Sequence, residues 1–241
     1  MAMDGNTLFT IITPSTGNRP RALQKAVQSV ESAVRHARLS PREMELLIGF
    51  GGFRFTPPES TLPMRSINFP PDNRRGNSIR NMLVRIAKGR KLIFLDDDNI
   101  LKPNALRLYL KHFETELVIG RIDTQLISEE PCIPLFDEKS IIHPENIDPL
   151  CVCVNRELVA DRCSGWNYQE KHDSAFLNLR DWHRRAKSIA VIDAMVGVYD
   201  YGRSMDHAAL SQRQQIMLDN LCAARRTMDK SAESARPAFN F

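Results

Sequence analysis

An α/β fold with a mostly parallel central sheet and helices on both faces is what this 241-residue sequence predicts. Three observations carry the prediction. Through the first 115 residues, short apolar, β-branched runs alternate with stretches whose apolar residues recur every three or four positions. One of those runs, KLIFL at 91–95, passes straight into Asp96-Asp97-Asp98, and open α/β sheets bind ligands beyond the carboxyl ends of their strands. The chain is also long enough to bury one sizeable core, and 42% apolar with 26% charged residues suits a globular protein.

The elements follow in order. Residues 8–13 (LFTIIT) read as a buried strand, and Leu23, Ala26, Val27, Val30, Ala33, Val34 and Ala37 as one face of a helix. A second strand spans 45–50 and stops at Gly51-Gly52. Prolines 57, 58, 63, 70 and 71 frame a further strand at 65–69. Ile79, Met82, Leu83, Ile86 and Ala87 stripe a helix that Gly89 would close with a left-handed cap. After the strand at 91–95, Pro103 suits the first turn of a helix carrying Leu106, Tyr109, Leu110 and Phe113. The second half is less regular: strands at 117–122 and 150–154 flank an acidic, Pro-containing loop at 129–149. A helix at 174–186 carries Phe176, Leu179 and Trp182; strands at 188–193 and 195–201 follow. A C-terminal helix striped by Leu210, Met217, Leu221 and Ala224 ends in a tail from Ser231 that should fray.

Composition excludes several function classes. Lys and Arg number 33 against 29 Asp and Glu, and the resulting +4 is scattered, unlike the concentrated charge of a nucleic-acid binder. No stretch approaches the roughly 20 apolar residues that span a bilayer, and the first residues lack a secretory pattern. Five cysteines at irregular positions form neither a disulfide framework nor a Cys-x-x-Cys zinc pair. A cytoplasmic protein is the expectation, with Arg184-Arg185 and Arg225-Arg226 leaving peripheral contact with acidic lipid open.

Three consecutive carboxylates repel one another unless a cation or donors offset the charge. On an extended chain Asp96 and Asp98 face one side and Asp97 the other, so the outer two could share a ligand. Hard oxygens at one or two positions, with phosphate and water completing the shell, suit Mg²⁺ or Mn²⁺. The plain alternative is a solvated Asp turn after a strand.

TIITPSTGNRPRALQKAVQSV at 10–30, and RGNSIRNMLVRIAKGRKLIFLDDDN at 75–99, resemble the nucleotide-sugar half of a GT-A-fold glycosyltransferase, most like glycosyltransferase family 2. The residues carrying the resemblance are Thr13, Pro14, Arg19, Ser29, Val30, Gly76, Arg80, Asn81, Ala87, Gly89, Asp96 and Asp98. It implies a single GT-A-like, Rossmann-like domain with a nucleotide-sugar half at about 7–115, an acceptor half at about 116–204 and a C-terminal helix and tail at 205–241. It implies that Thr13-Pro14 forms a turn holding base and ribose, that Arg19 and Arg80 face the nucleotide-sugar, and that Asp97 lies with them. Asp96 would contact ribose or metal-bound water, and Asp98 the divalent ion on the diphosphate. An acidic residue after the second strand, usual in the family, is missing from Gly49-Phe50-Gly51-Gly52, which leaves the base open. The segment from Gly76 to Arg80 is also shorter than the family's commoner spacing.

The resemblance further implies transfer with inversion, for which an acidic residue at a helix start in the second half acts as base. Asp173 matches; it is equally an ordinary helix N-cap. Glu170 stands in reserve, and His172 neighbours the acceptor side. Trp166 is either a platform for an acceptor sugar or a core anchor, and His207 is a late candidate for the metal shell. The implied partners are a UDP- or GDP-sugar donor and a carbohydrate or other hydroxyl acceptor; the last helix could equally pack across a homodimer. Three other readings remain: a haloacid-dehalogenase-like phosphohydrolase using Asp96-x-Asp98, a sugar nucleotidyltransferase, and a nucleotide-sugar-binding module without turnover. The phosphohydrolase motif normally lies in the first strand and continues with a small hydroxyl residue, where this chain has Asn99. A nucleotidyltransferase should carry a Gly-rich loop after the first strand, and TPSTGNRP holds one Gly.

Overall fold

The computed structural model describes residues 7–52, 55–71, 76–125, 130–136, 141–167 and 174–199. β1 (Phe9–Ser15), α1 (Pro20–Ala37), β2 (Met44–Gly51), β3 (Met64–Phe69), α2 (Asn77–Ile86) and β4 (Lys91–Phe94) open the fold. β5 (Ile100–Leu101), α3 (Ala105–Lys111), β6 (Leu117–Asp123), β7 (Cys132–Ile133), β8 (Val152–Asn155), α4 (Ser174–Arg185) and β9 (Ile189–Val198) complete it. A 3-10 turn at Pro149–Cys151 leads into β8, and a π-helical turn at Leu158–Arg162 leaves it.

The strands form one sheet in the order β3-β2-β1-β4-β8-β6-β9-β5, with β7 on β6. β3, β2, β1 and β4 are parallel neighbours. β8 is inserted antiparallel between β4 and β6, after which β6 and β9 resume the original direction. This is the mostly parallel α/β sheet with flanking helices that the alternating pattern predicts. β1 and β4 are buried along their whole length and β2 along all but its last residue, as strands covered on both faces must be.

Packing follows from small residues at particular places. α1 starts on Pro20, whose fixed φ suits the first turn, and buries Ala22, Leu23, Ala26, Val27, Val30, Ala33 and Val34. Ser29 on α1 accepts a hydrogen bond from the Leu101 N–H at 3.0 Å, which ties β5 to the helix. α2 lies so close to β2 that a Cβ at Gly49 would sit 2.2 Å from Ile79 Cγ2.

Gly89 has a different role from the expected cap. α2 ends at Ile86, and Ala87 closes it in an extended conformation (φ −63°, ψ 139°). A Cβ on Gly89 would lie 2.5 Å from the Thr10 backbone nitrogen, so the residue is there to let the chain cross β1 closely. The two closing strands expected at 188–193 and 195–201 are one strand, β9, whose pairing with β6 slips around Arg121. That bulge disturbs the apolar alternation and looks like a break in the sequence. The stretch at 129–149 contributes β7 and the start of the 3-10 turn. Among the described residues no helix is long and apolar enough to cross a membrane, and Cys132, Cys151, Cys153 and Cys163 are free and buried. The helix and tail expected from 205 onward lie outside the described residues.

Candidate functional site

β1, β2 and β3 are laid out to one side and β4 to the other, so the carboxyl ends of β1 and β4 flank a point where strand order reverses. A cleft of about 310 Å³ opens there, lined by Pro14 and Ser15 at the end of β1, Ile79 and Arg80 of α2, the three aspartates, and Tyr199 just past β9. Arg19, at the N-terminal boundary of α1, forms one wall.

The acidic run does not behave as an extended chain. Leu95 still donates to the Ile12 carbonyl (3.0 Å), but the Asn99 N–H then reaches back to the Asp96 carbonyl (3.1 Å) and closes a turn through Asp97 and Asp98. The expected sorting, Asp96 with Asp98 and Asp97 apart, is therefore replaced by another. Asp97 and Asp98 share Arg19, one terminal nitrogen to each, while Asp96 pairs with Arg80. The Asp97 side chain is 1% exposed, Asp98 11% and Asp96 39%. Ser15 Oγ donates to Asp97 Oδ2 (2.5 Å) and accepts from the Gly17 N–H (2.9 Å), fixing the buried carboxylate from the β1 side.

Burial dominates the electrostatics. It pushes the Asp97 carboxyl up to about 7 against the pull of Arg19 and of the Ser15 hydrogen bond. Asp98 is raised for the same reason, with Arg19 again opposing. Burial also works against the Arg19 charge, but Asp97 and Asp98 outweigh it and hold the guanidinium more firmly protonated than usual. A fourth acid enters from the second half. Asp148 accepts from the Leu150 N–H (2.8 Å), and its carboxyl is pushed up to about 7, first by burial and then by the charge of Asp96. In sequence an Asp before Pro149 signals only a turn, so nothing there marks Asp148 as a neighbour of the cleft.

The sequence-derived candidates divide as follows. Pro14, Arg19, Arg80, Asp96, Asp97 and Asp98 come together at one cleft. Thr13 is 5% exposed inside β1, paired with Ile48, so Thr13-Pro14 is the end of a strand and not a turn, and Thr13 does not line the cleft. Trp166 is 1% exposed, its ring 4.9 Å from Phe94 and 5.5 Å from Trp182 between centroids. It is a core anchor, and the acceptor-platform expectation is corrected accordingly. Its indole N–H donates to Asn77 Oδ1 (3.0 Å), and Arg80 lies over the ring at 5.2 Å. Sequence reasoning passed over Ser15, Tyr199 and Asp148; for Ser15 the signal was present, a hydroxyl at the carboxyl end of the first strand. Glu170, His172, Asp173 and His207 lie outside the described residues, although α4 begins at Ser174, directly after Asp173.

Among the described residues no three His, Cys, Asp or Glu side chains gather into a cage that could hold a metal ion. Asp96 and Asp98 supply hard carboxylate oxygens of two residues at the cleft. That donor set fits a Mg²⁺ or Mn²⁺ ion that draws the rest of its shell from phosphate and water.

No protein-family model matches the sequence, and no curated protein matches it. Solved structures do resemble the fold. S. aureus TarS residues 1–349 align with a TM-score of 0.59 at 13% identity over 81% of this chain. The same TarS segment in complex with UDP-GlcNAc gives 0.57 at 14% identity over 80% of this chain and 58% of that one. The mannosyltransferase PcManGT from Pyrobaculum calidifontis, in complex with GDP-Man and Mn²⁺, gives 0.54 at 13% identity over 83% of this chain and 59% of that one. The chain spans 61% of the TarS segment's length. At such identities the likeness is one of fold, GT-A-like as expected.

Proposed function

We propose that this chain transfers a sugar from a nucleoside-diphosphate sugar to an acceptor hydroxyl, with Mg²⁺ or Mn²⁺ held through Asp98 and Asp96. The observation that carries the reading is the acidic turn faced by two arginines at the switch-point cleft, in a fold shared with a mannosyltransferase in complex with GDP-Man and Mn²⁺. Bound there, the cation would offset the charge that builds on the diphosphate leaving group. Arg80, held between Asp96 and the Trp166 ring, turns its guanidinium toward the donor. Pro14 and Ser15 form the floor beneath base and ribose, and Asp97 holds Arg19 at the wall. Asp173, the residue before α4 in sequence, takes the proton from the acceptor hydroxyl as that oxygen attacks the anomeric carbon, so the reaction inverts; Glu170 is the reserve base, and His172 belongs to the acceptor side. The acceptor is a carbohydrate or another hydroxyl compound, and the family 2 resemblance belongs to this reading.

A thermal-shift panel of UDP, GDP, CDP, dTDP and ADP, each with Mn²⁺ or with EDTA, tests it. One diphosphate at ~100 times its Kd should stabilise the protein by about 2.7 kcal/mol, on the order of 5–10 °C for a chain of this size. The shift should vanish with EDTA and in Asp98→Ala. A folded protein that responds to none of the five overturns the reading. Release of phosphate from an aryl phosphate, abolished in Asp96→Asn, would then favour the phosphohydrolase.

A further inference from the structure

Arg19 is not held like an arginine waiting for a ligand. Its two terminal nitrogens are divided between two acids that differ in exposure. Asp97 is 1% exposed, and its second oxygen is already engaged by Ser15, so that half of the fork is anchored. Asp98 is more open, at 11%, and belongs to the pair of carboxylates that a divalent cation would need. A planar guanidinium can keep one hydrogen-bonded edge and release the other. Two cations on one carboxylate repel each other, whereas three consecutive carboxylates with no counter-charge are costly to bury. Arg19 therefore stabilises the acidic turn and competes with any cation for it.

We propose that Arg19 is a built-in counter-cation for the acidic turn. It pairs with Asp98 and leaves that carboxylate when a divalent cation arrives with a diphosphate, pivoting on Asp97 so that the freed N–H groups meet the phosphate. This rests on the reading of Asp98 and Asp96 as cation ligands. The exchange couples donor to cation: the ion gives Arg19 a reason to leave Asp98, and the diphosphate gives it a new charge-assisted acceptor.

Mn²⁺ binding to the purified chain, followed by loss of the free-ion electron paramagnetic resonance signal and without any nucleotide, tests the proposal. Arg19→Ala should bind Mn²⁺ on the order of tenfold more tightly than the wild type, because it takes the counter-cation off Asp98 while Asp96 keeps Arg80. Arg19→Lys keeps the charge and loses the two-pronged fork; it should bind several-fold more tightly, which a long-range charge effect would not produce. Arg65→Ala, which removes a positive charge paired with Glu45 away from the cleft, should match the wild type. If Arg19→Ala fails to fold, Arg19→Lys decides. Mn²⁺ binding by the wild type that is equal or tighter than in both Arg19 variants overturns the counter-cation role alone. No binding to the wild type or either variant at millimolar Mn²⁺ overturns this proposal; if no diphosphate of the panel gives a Mn²⁺-dependent stabilisation either, the cation reading of Asp96 and Asp98 falls with it.

Discussion

Ser15, Asp97 and Arg19 form a chain of contacts in which each member fixes the next, and none of the three is interchangeable with a neighbour in sequence. Ser15→Ala leaves a buried carboxylate short of a donor, and should lower stability by about 1–3 kcal/mol in urea denaturation. Ser15→Thr, which keeps the hydroxyl, should recover most of it. Asp148 governs a pH dependence. Its carboxyl is pushed up to about 7 in the folded protein, above the ordinary value near 3.9 that it takes when unfolded. The native state therefore holds that proton more tightly than the unfolded chain. The stability it contributes is full below about pH 4 and is lost as pH rises through about 7. Asp148→Asn still accepts from the Leu150 N–H but does not titrate, so the fall in urea midpoint between pH 5 and pH 7.5 should be shallower in that variant. At this scale the sequence showed which residues carry charge. It could not show which would be buried, because burial depends on what distant segments lay over them.

Among the elements, α1 was readable from its three- and four-residue spacing: it buries the predicted face from Leu23 to Val34, adds Ala22, and leaves Ala37 half-buried. β5 and β7, two residues each, fall below any periodic signal. Gly89 shows why a correct residue can carry the wrong reason. A glycine after a helix usually marks a left-handed cap, but here the helix has already ended and the constraint comes from β1. Gly89→Ala should destabilise by roughly 1–3 kcal/mol or more, since the two nearest obstructing atoms, Thr10 N and Phe9 C, are backbone and cannot rotate away. The cost should appear as a lower urea midpoint with an unchanged m-value.

For the whole molecule, the two halves meet along β4 and again where β5 pairs with β9. On one side β4 pairs with β1, on the other with β8, and Phe94 stacks on Trp182 from α4 at 5.3 Å. Residues 1–115 expressed alone would expose the β8 side of β4 and its aromatic contacts. They should show no cooperative unfolding transition by circular dichroism, which an independently folding half would show. In the full chain Trp182→Ala should cost about 3–5 kcal/mol. The aromatic cluster also lies under Arg80, so the second half supports a residue of the cleft by packing as well as bringing Asp148 near it.

The sequence by itself determined the fold class, the order of the main strands and helices, and the place of the acidic run at the end of a strand. Those depend on the local spacing of apolar residues, which any chain segment carries within itself. Tertiary structure alone decided that Asp97 is buried on Ser15, that Arg19 spans two aspartates while Arg80 takes the third, and that Trp166 belongs to the core. Each of those contacts joins residues far apart in the chain, and a pattern of neighbours holds no record of which strand ends will meet.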